Sequence, residues 1–272
     1  MTPSLSLPHD RWVEHRQGRL FTRTWTPAPQ GPARETAAAP VVLFHDSLGC
    51  VALWREFPAR LSAATRRTVI AYDRLGYGQS DPRPGRLPLD FMVEEARQVF
   101  PLLQAQLGLA RFVAFGHSVG GAMAVQVAAR LPQACEALIT EGAQAFVEDR
   151  TRQGIETART AFQAPGQVAR LAKYHGDKAQ WVLDAWTGTW LHPDFAAWSL
   201  APVLPRVTSP VLAIHGLNDE YGSARHPELI GRLVGGPAQI ELLPRLGHVP
   251  HREQPDQVLA LLTRFLAPGR LP

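Results

Sequence analysis

An α/β protein, with a mostly parallel sheet covered by helices on both faces, is what this sequence predicts, and three observations carry the prediction. From Pro40 onward, short apolar runs of strand length alternate with longer stretches of helical period. Those runs are nearly continuous rather than alternating apolar and polar, as expected of parallel strands buried on both faces. Finally, Gly116-His117-Ser118-Val119-Gly120 stands between such a run and a helix-like stretch, a G-x-S-x-G spelling in a strand-to-helix context.

In chain order, 12–15 and 20–25 flank the turn-like Arg16-Gln17-Gly18-Arg19 and read as an N-terminal hairpin. The stretch 27–40 is rich in Pro, Ala and Gly without a period, and reads as a surface loop or short linker. Then come strand 41–44, helix 53–64, strand 68–72, helix 90–107, strand 112–115, helix 119–130 and strand 137–140, joined by right-handed crossovers. Pro58 and Pro101 fall inside two of those helices, so each is expected to kink or restart its helix. Strands 211–214 and 239–243 and helix 254–266 resume the pattern.

The break, 142–200, has helical stretches, no apolar strand, and Trp181, Trp186, Trp190 and Trp198. Between two sheet strands it is expected to cover the C-terminal sheet edge as a lid that selects substrate, although any single tryptophan is more simply read as packing. The division is thus a core of 1–141 and 201–272 and a helical insertion of 142–200.

A chain of 272 residues can bury a sizeable core. The formal charge of +4 comes from scattered arginines, and Arg66-Arg67 and Arg83 to Arg86 are short runs with no interleaved aromatics, which argues against nucleic acid as a partner. No long apolar segment suggests a membrane span, and Met1 to Asp10 lack a basic stretch followed by an apolar one, so a soluble cytoplasmic protein is expected. Cys50 and Cys135 lie in different predicted elements and form no disulfide framework. Monomer and dimer both stay open.

A serine at a sharp strand-to-helix turn adopts a strained backbone, and glycine two positions before and after it avoids collisions with strand and helix. Ser118 would then project from the sheet edge, with the N–H of Val119 aimed at an oxyanion. A hydroxyl needs a base to become a nucleophile, and the base needs a partner to hold its tautomer. Asp219 follows strand 211–214 and His248 follows strand 239–243, giving the order Ser, Asp, His. Glu220, or Glu141 at the end of an earlier strand, is the alternative orienting acid. His248 with His251 would need a third ligand to hold a metal, and the spacing offers none, so no metal is assigned and His251 reads as a capping or surface residue.

With these residues the chain resembles the α/β-hydrolase-fold enzymes over 12–141 and 200–266. Phe44-His45-Asp46-Ser47-Leu48-Gly49 is similar to the family's His-Gly-x-x-Gly oxyanion loop, and Asp73-Arg74-Leu75-Gly76-Tyr77-Gly78-Gln79-Ser80 to its D-x-R-G-x-G-x-S segment. Asp46 replaces the usual glycine, so the Ser47 N–H is expected to pair with that of Val119, with Leu48 as the alternative donor. Leu75 replaces the usual arginine, which weakens the expectation of an arginine buried beneath the loops.

The resemblance implies a serine hydrolase cleaving an ester-type bond through a Ser118–His248–Asp219 triad and an acyl-enzyme, without cofactor. Its partner would be a small-molecule substrate, apolar or aromatic given the tryptophans. His117, Trp54, Trp186 and Trp190 are candidate pocket residues. Lactone, thioester and carbon–carbon bond hydrolysis use the same triad, and a ligand receptor on this scaffold with little turnover is the reading of another class.

Overall fold

The computed structural model describes residues 7–28, 38–267 and 269. Eight strands form one sheet in the order β1-β2-β4-β3-β5-β6-β7-β8. β1 (His9–His15) and β2 (Gly18–Trp25) make the N-terminal hairpin, and β2 joins β4 antiparallel. β3 (Val41–Phe44), β4 (Val69–Tyr72), β5 (Phe112–His117), β6 (Cys135–Glu141), β7 (Val211–Gly216) and β8 (Ala238–Leu243) run parallel to one another. Most of the loop expected at 27–40 lies outside the described residues.

Side chains alternate across a strand, and the two cores follow that alternation. Val42, Phe44, Ala114 and Leu138 face one core, while Val41, Leu43, Phe115 and Ile139 face the other. α1 (Phe57–Thr65) covers the second face, joined there by α10 (Pro255–Phe265), which follows the short α9 (Pro250–Glu253). The first face is covered by α2 (Phe91–Glu94), α3 (Phe100–Leu107), α4 (Val119–Arg130) and α8 (Arg225–Leu233).

Both prolines mark helix starts. A 3₁₀ turn, Val51–Trp54, ends at Arg55 in a left-handed conformation before α1 begins with Pro58 in its first turn. Between α2 and α3 the chain makes one π-helical segment, Glu95–Val99, before Pro101 in the first turn of α3. Ring geometry removes the Pro101 N–H, and a π segment absorbs the resulting gap in the hydrogen-bond ladder.

Between β6 and β7 lie α5 (Asp149–Ala161), α6 (Gln167–His175) and α7 (Ala179–Trp190). α7 buries Val182, Leu183, Trp186 and Trp190. Among the described residues no helix is long and apolar enough to cross a membrane.

Candidate active site

β5 ends at His117, and Ser118 turns the chain into α4 with φ 56° and ψ −127°. A serine at positive φ is uncommon and costs backbone strain. The flanking glycines make that turn possible: a Cβ on Gly116 would lie 2.1 Å from the Gly120 carbonyl oxygen, and one on Gly120 would lie 2.0 Å from that of Phe44. Val119 opens α4, so its N–H is one of those a helix leaves without an intrahelical partner.

The loop after β7 carries Asp219, fully buried. Its Oδ1 accepts the N–H groups of Tyr221 and Gly222 at 2.7 and 3.2 Å, and its Oδ2 accepts from His248 Nδ1 at 2.8 Å. Burial alone would raise this carboxyl, but the His248 hydrogen bond and charge outweigh it and hold it below the usual range. The turn after β8 is clamped by Glu253, whose carboxylate accepts from the N–H groups of Gly247 and Val249. Gly142, at φ 55°, lets the chain leaving β6 pass close to His248, since a Cβ there would lie 2.9 Å from the His248 carbonyl oxygen.

Ser118 and His248 open onto one cavity of about 230 Å³, also lined by Ser47, Gln144, Ile155, Trp186, Trp190 and Tyr221. The Ser118 hydroxyl donates to Gln144 Oε1 at 3.3 Å. The structure thus brings Ser118, Asp219, His248, Ser47, Trp186 and Trp190 together. Gln144, Ile155 and Tyr221 were not singled out in the sequence; only the position of Gln144, three residues past the end of a strand next to the elbow, offered a signal.

Two candidate pocket residues are corrected. Trp54 and His117 lie outside this cavity, because the alternation along β5 turns His117 to the side of Phe115. There Trp54 stacks with Phe57 and meets Phe115 and His251, with ring centroids 4.7 Å apart for the last pair. His251 is likewise no surface residue: it is buried and its Nδ1 donates to Glu141 Oε2 at 2.6 Å. Glu141 is therefore bonded to His251 and not to His248.

The fold also assembles a trio that sequence spacing did not reveal. Ligand-capable atoms of His117, Glu141 and His251 lie within 4.8 Å of one another. All three already hold partners, since His117 Nε2 donates to the His248 carbonyl at 2.8 Å and His251 and Glu141 hold each other. Burial would lower the His117 pKa, but Asp46, 3.6 Å away, raises it above the ordinary value. These side chains form a hydrogen-bonded floor beneath His248.

Asp46 turns its carboxylate toward His117 and over Gly49, where a Cβ would lie 2.0 Å from Oδ1. Its carbonyl accepts from Arg74 at 2.9 Å, so a buried arginine does support the loop although it stands one position earlier than the resemblance led one to expect. Asp73 joins the two loops, accepting the N–H groups of Val51 at 2.6 Å and Gln79 at 2.7 Å.

Residues 39–171 match the family model described as alpha/beta hydrolase fold. The chain is 29% identical over 205 residues to the human protein named Serine hydrolase BPHL, covering 73% of this chain and 69% of that one. It is 26% identical over 262 residues to the mouse protein named sn-1-specific diacylglycerol lipase ABHD11, covering 85% and 82%. The enol-lactonase from Burkholderia xenovorans LB400 superposes with a TM-score of 0.69 at 20% identity, over 94% of this chain and 99% of that one. The chain has the α/β-hydrolase fold.

Proposed function

We propose that this protein is a serine hydrolase that cleaves an ester-type bond in a small apolar or aromatic substrate, with Ser118 as nucleophile, His248 as base and Asp219 as orienting acid. The observation that carries the reading is the 2.8 Å His248–Asp219 hydrogen bond on the same cavity as a serine held at positive φ. With Nδ1 committed to Asp219, His248 has Nε2 free to take the Ser118 proton. The alkoxide attacks the carbonyl, the N–H groups of Val119 and Ser47 hold the oxyanion, and His248 returns the proton to the leaving group. Water activated by His248 then releases the acyl group.

The cavity, about 230 Å³, falls below the usual range of roughly 300–1,000 Å³ for drug-sized ligands, which supports a small substrate. Trp186, Trp190, Tyr221 and Ile155 supply apolar walls. A lactone meets the same requirements, and the likeness to an enol-lactonase supports keeping it as a second reading. Two buried free cysteines suit a reducing compartment, so the proposed location is the cytoplasm.

The test is steady-state hydrolysis of nitrophenyl esters of increasing acyl length, a lactone and an acyl thioester. Turnover abolished by Ser118→Ala and by His248→Ala in folded protein is the expected result. Binding or a single burst without turnover contradicts the reading and favours a receptor on this scaffold.

A further inference from the structure

Gln144 is buried, lines the cavity and touches the nucleophile, yet the reaction outlined above does not use it. We propose that Gln144 is the specificity-determining residue of this site and that it selects acyl groups bearing a hydroxyl on the carbon next to the scissile carbonyl. The proposal rests on the serine hydrolase reading.

The carboxamide is held on a fixed backbone. Gly142 N–H donates to the Ile214 carbonyl at 2.9 Å, Ala145 N–H donates to His226 Nδ1 at 3.1 Å, and the Ala145 carbonyl accepts from Leu200 N–H at 2.7 Å. Gln144 Oε1 takes the Ser118 hydroxyl, while its Nε2 has no partner among the described residues. The side chain thus offers the cavity two donors, and one acceptor whose only donor is the proton that catalysis removes.

When that proton passes to His248, Oε1 of the buried Gln144 is stripped of its donor. A buried polar group left without a partner is costly, so a substrate that replaces the lost bond is favoured in the transition state. The attacked carbon carries three groups besides Ser118 Oγ. Its oxygen belongs to the Val119 and Ser47 N–H groups, and its leaving group must face His248 to be protonated. The acyl chain is left for Gln144. A hydroxyl on its first carbon donates to Oε1 and accepts from Nε2, matching both halves of the carboxamide. A site built to bond such a group discriminates strongly against an analogue that lacks it.

The test compares phenyl lactate, each enantiomer separately, with phenyl propanoate, which differs only by the hydroxyl. Wild-type protein is expected to favour one lactate enantiomer at least tenfold in kcat/KM, and Gln144→Leu is expected to bring the ratio near one, with thermal melting as the check on folding. If that variant does not fold, Gln144→Asn, which withdraws the amide by one methylene, is expected to reduce the ratio in the same direction. A wild-type ratio within twofold of one, or a ratio that survives in the folded variants, overturns the assignment. Absence of turnover with both esters, or turnover that persists in Ser118→Ala, overturns the serine hydrolase reading itself, so the two failures are distinguishable.

Discussion

His251 Nδ1 donates to Glu141 Oε2 over 2.6 Å, while His248, three residues earlier, gives its Nδ1 proton to Asp219 Oδ2 over 2.8 Å. Two carboxylate–imidazole pairs therefore lie side by side, and only the imidazole of the second lines the cavity. Asp219→Asn is expected to lower kcat roughly 10³–10⁴-fold, because an amide stabilises neither the needed tautomer nor the imidazolium. Glu141→Gln is expected to act mainly on stability, lowering Tm by roughly 2–10 °C through a weakened buried hydrogen bond. Steady-state rates and melting curves on both variants check this, and a larger kcat loss in Glu141→Gln would remove Asp219 as the orienting acid.

The elbow glycines give a second prediction. Neither the Phe44 carbonyl opposite Gly120 nor the Gly120 carbonyl opposite Gly116 is the end of a flexible side chain that could move aside. Gly120→Ala and Gly116→Ala are each expected to destabilise the fold by about 3 kcal/mol or more, read as a lower melting midpoint or loss of soluble protein. Gly188→Ala, where an added Cβ meets nothing within 4 Å, serves as the control.

These contrasts show what a linear sequence discloses. The parallel strands were legible because burial on both faces leaves unbroken apolar runs such as Val41 to Phe44, and the elbow because strained backbone demands glycine at fixed offsets. Trp54 and His117 were misassigned because closeness in sequence to a reactive loop does not say which face of the sheet a side chain takes. Gln144 was missed because its chemistry depends on a contact between the loop after β6 and the elbow that only folding creates. The pairing of Glu141 with His251, 110 residues apart, is of the same kind.

Acid stability follows from the loop that leaves β6. Glu148 accepts from His226 Nε2 at 3.0 Å and from the Ser223 N–H and hydroxyl at 2.7 and 2.9 Å. Burial would raise this carboxyl, but the His226 and Ser223 hydrogen bonds bring it from 4.5 down to about 2. A group depressed on folding stabilises the fold above its unfolded value, and that stabilisation is lost as pH falls through the folded one. Glu148→Gln is therefore expected to melt below wild type at pH 7, by up to about 3 kcal/mol, with the gap closing between pH 4.5 and pH 2. A Tm difference that stays constant across that window contradicts the assignment.

Trp186 sets the size of the cavity. Its ring meets Tyr221 at 5.9 Å between centroids, and both line the space before Ser118. Trp186→Ala is expected to shift the ester preference toward longer acyl chains, each added buried methylene gaining about 0.8 kcal/mol, or roughly fourfold in kcat/KM. Trp54→Phe, on the other side of the sheet, is expected to leave the shape of that profile alone. A chain-length series of nitrophenyl esters measures both.

His175, at the end of α6, ties the helical segment to the oxyanion loop. Its Nδ1 accepts the Gly78 N–H at 2.9 Å and its Nε2 donates to the Leu48 carbonyl at 3.0 Å. One nitrogen must accept while the other donates, so only the neutral ring with its proton on Nε2 satisfies both. Burial lowers the His175 pKa, and the Leu48 carbonyl opposes this only in part. The stabilisation it gives is therefore present above pH 6.5 and lost as pH falls toward the lower folded value, because the unfolded histidine takes its proton first. Ser47 precedes Leu48, so releasing that carbonyl displaces the proposed oxyanion donor. A displacement near 1 Å costs on the order of 10²-fold in rate, and His175→Ala is expected to lower kcat by roughly ten- to a hundredfold while changing KM less. An unchanged kcat in a folded His175→Ala protein would mean that Arg74 and His45, which also bond to the Asp46 carbonyl, hold the loop by themselves.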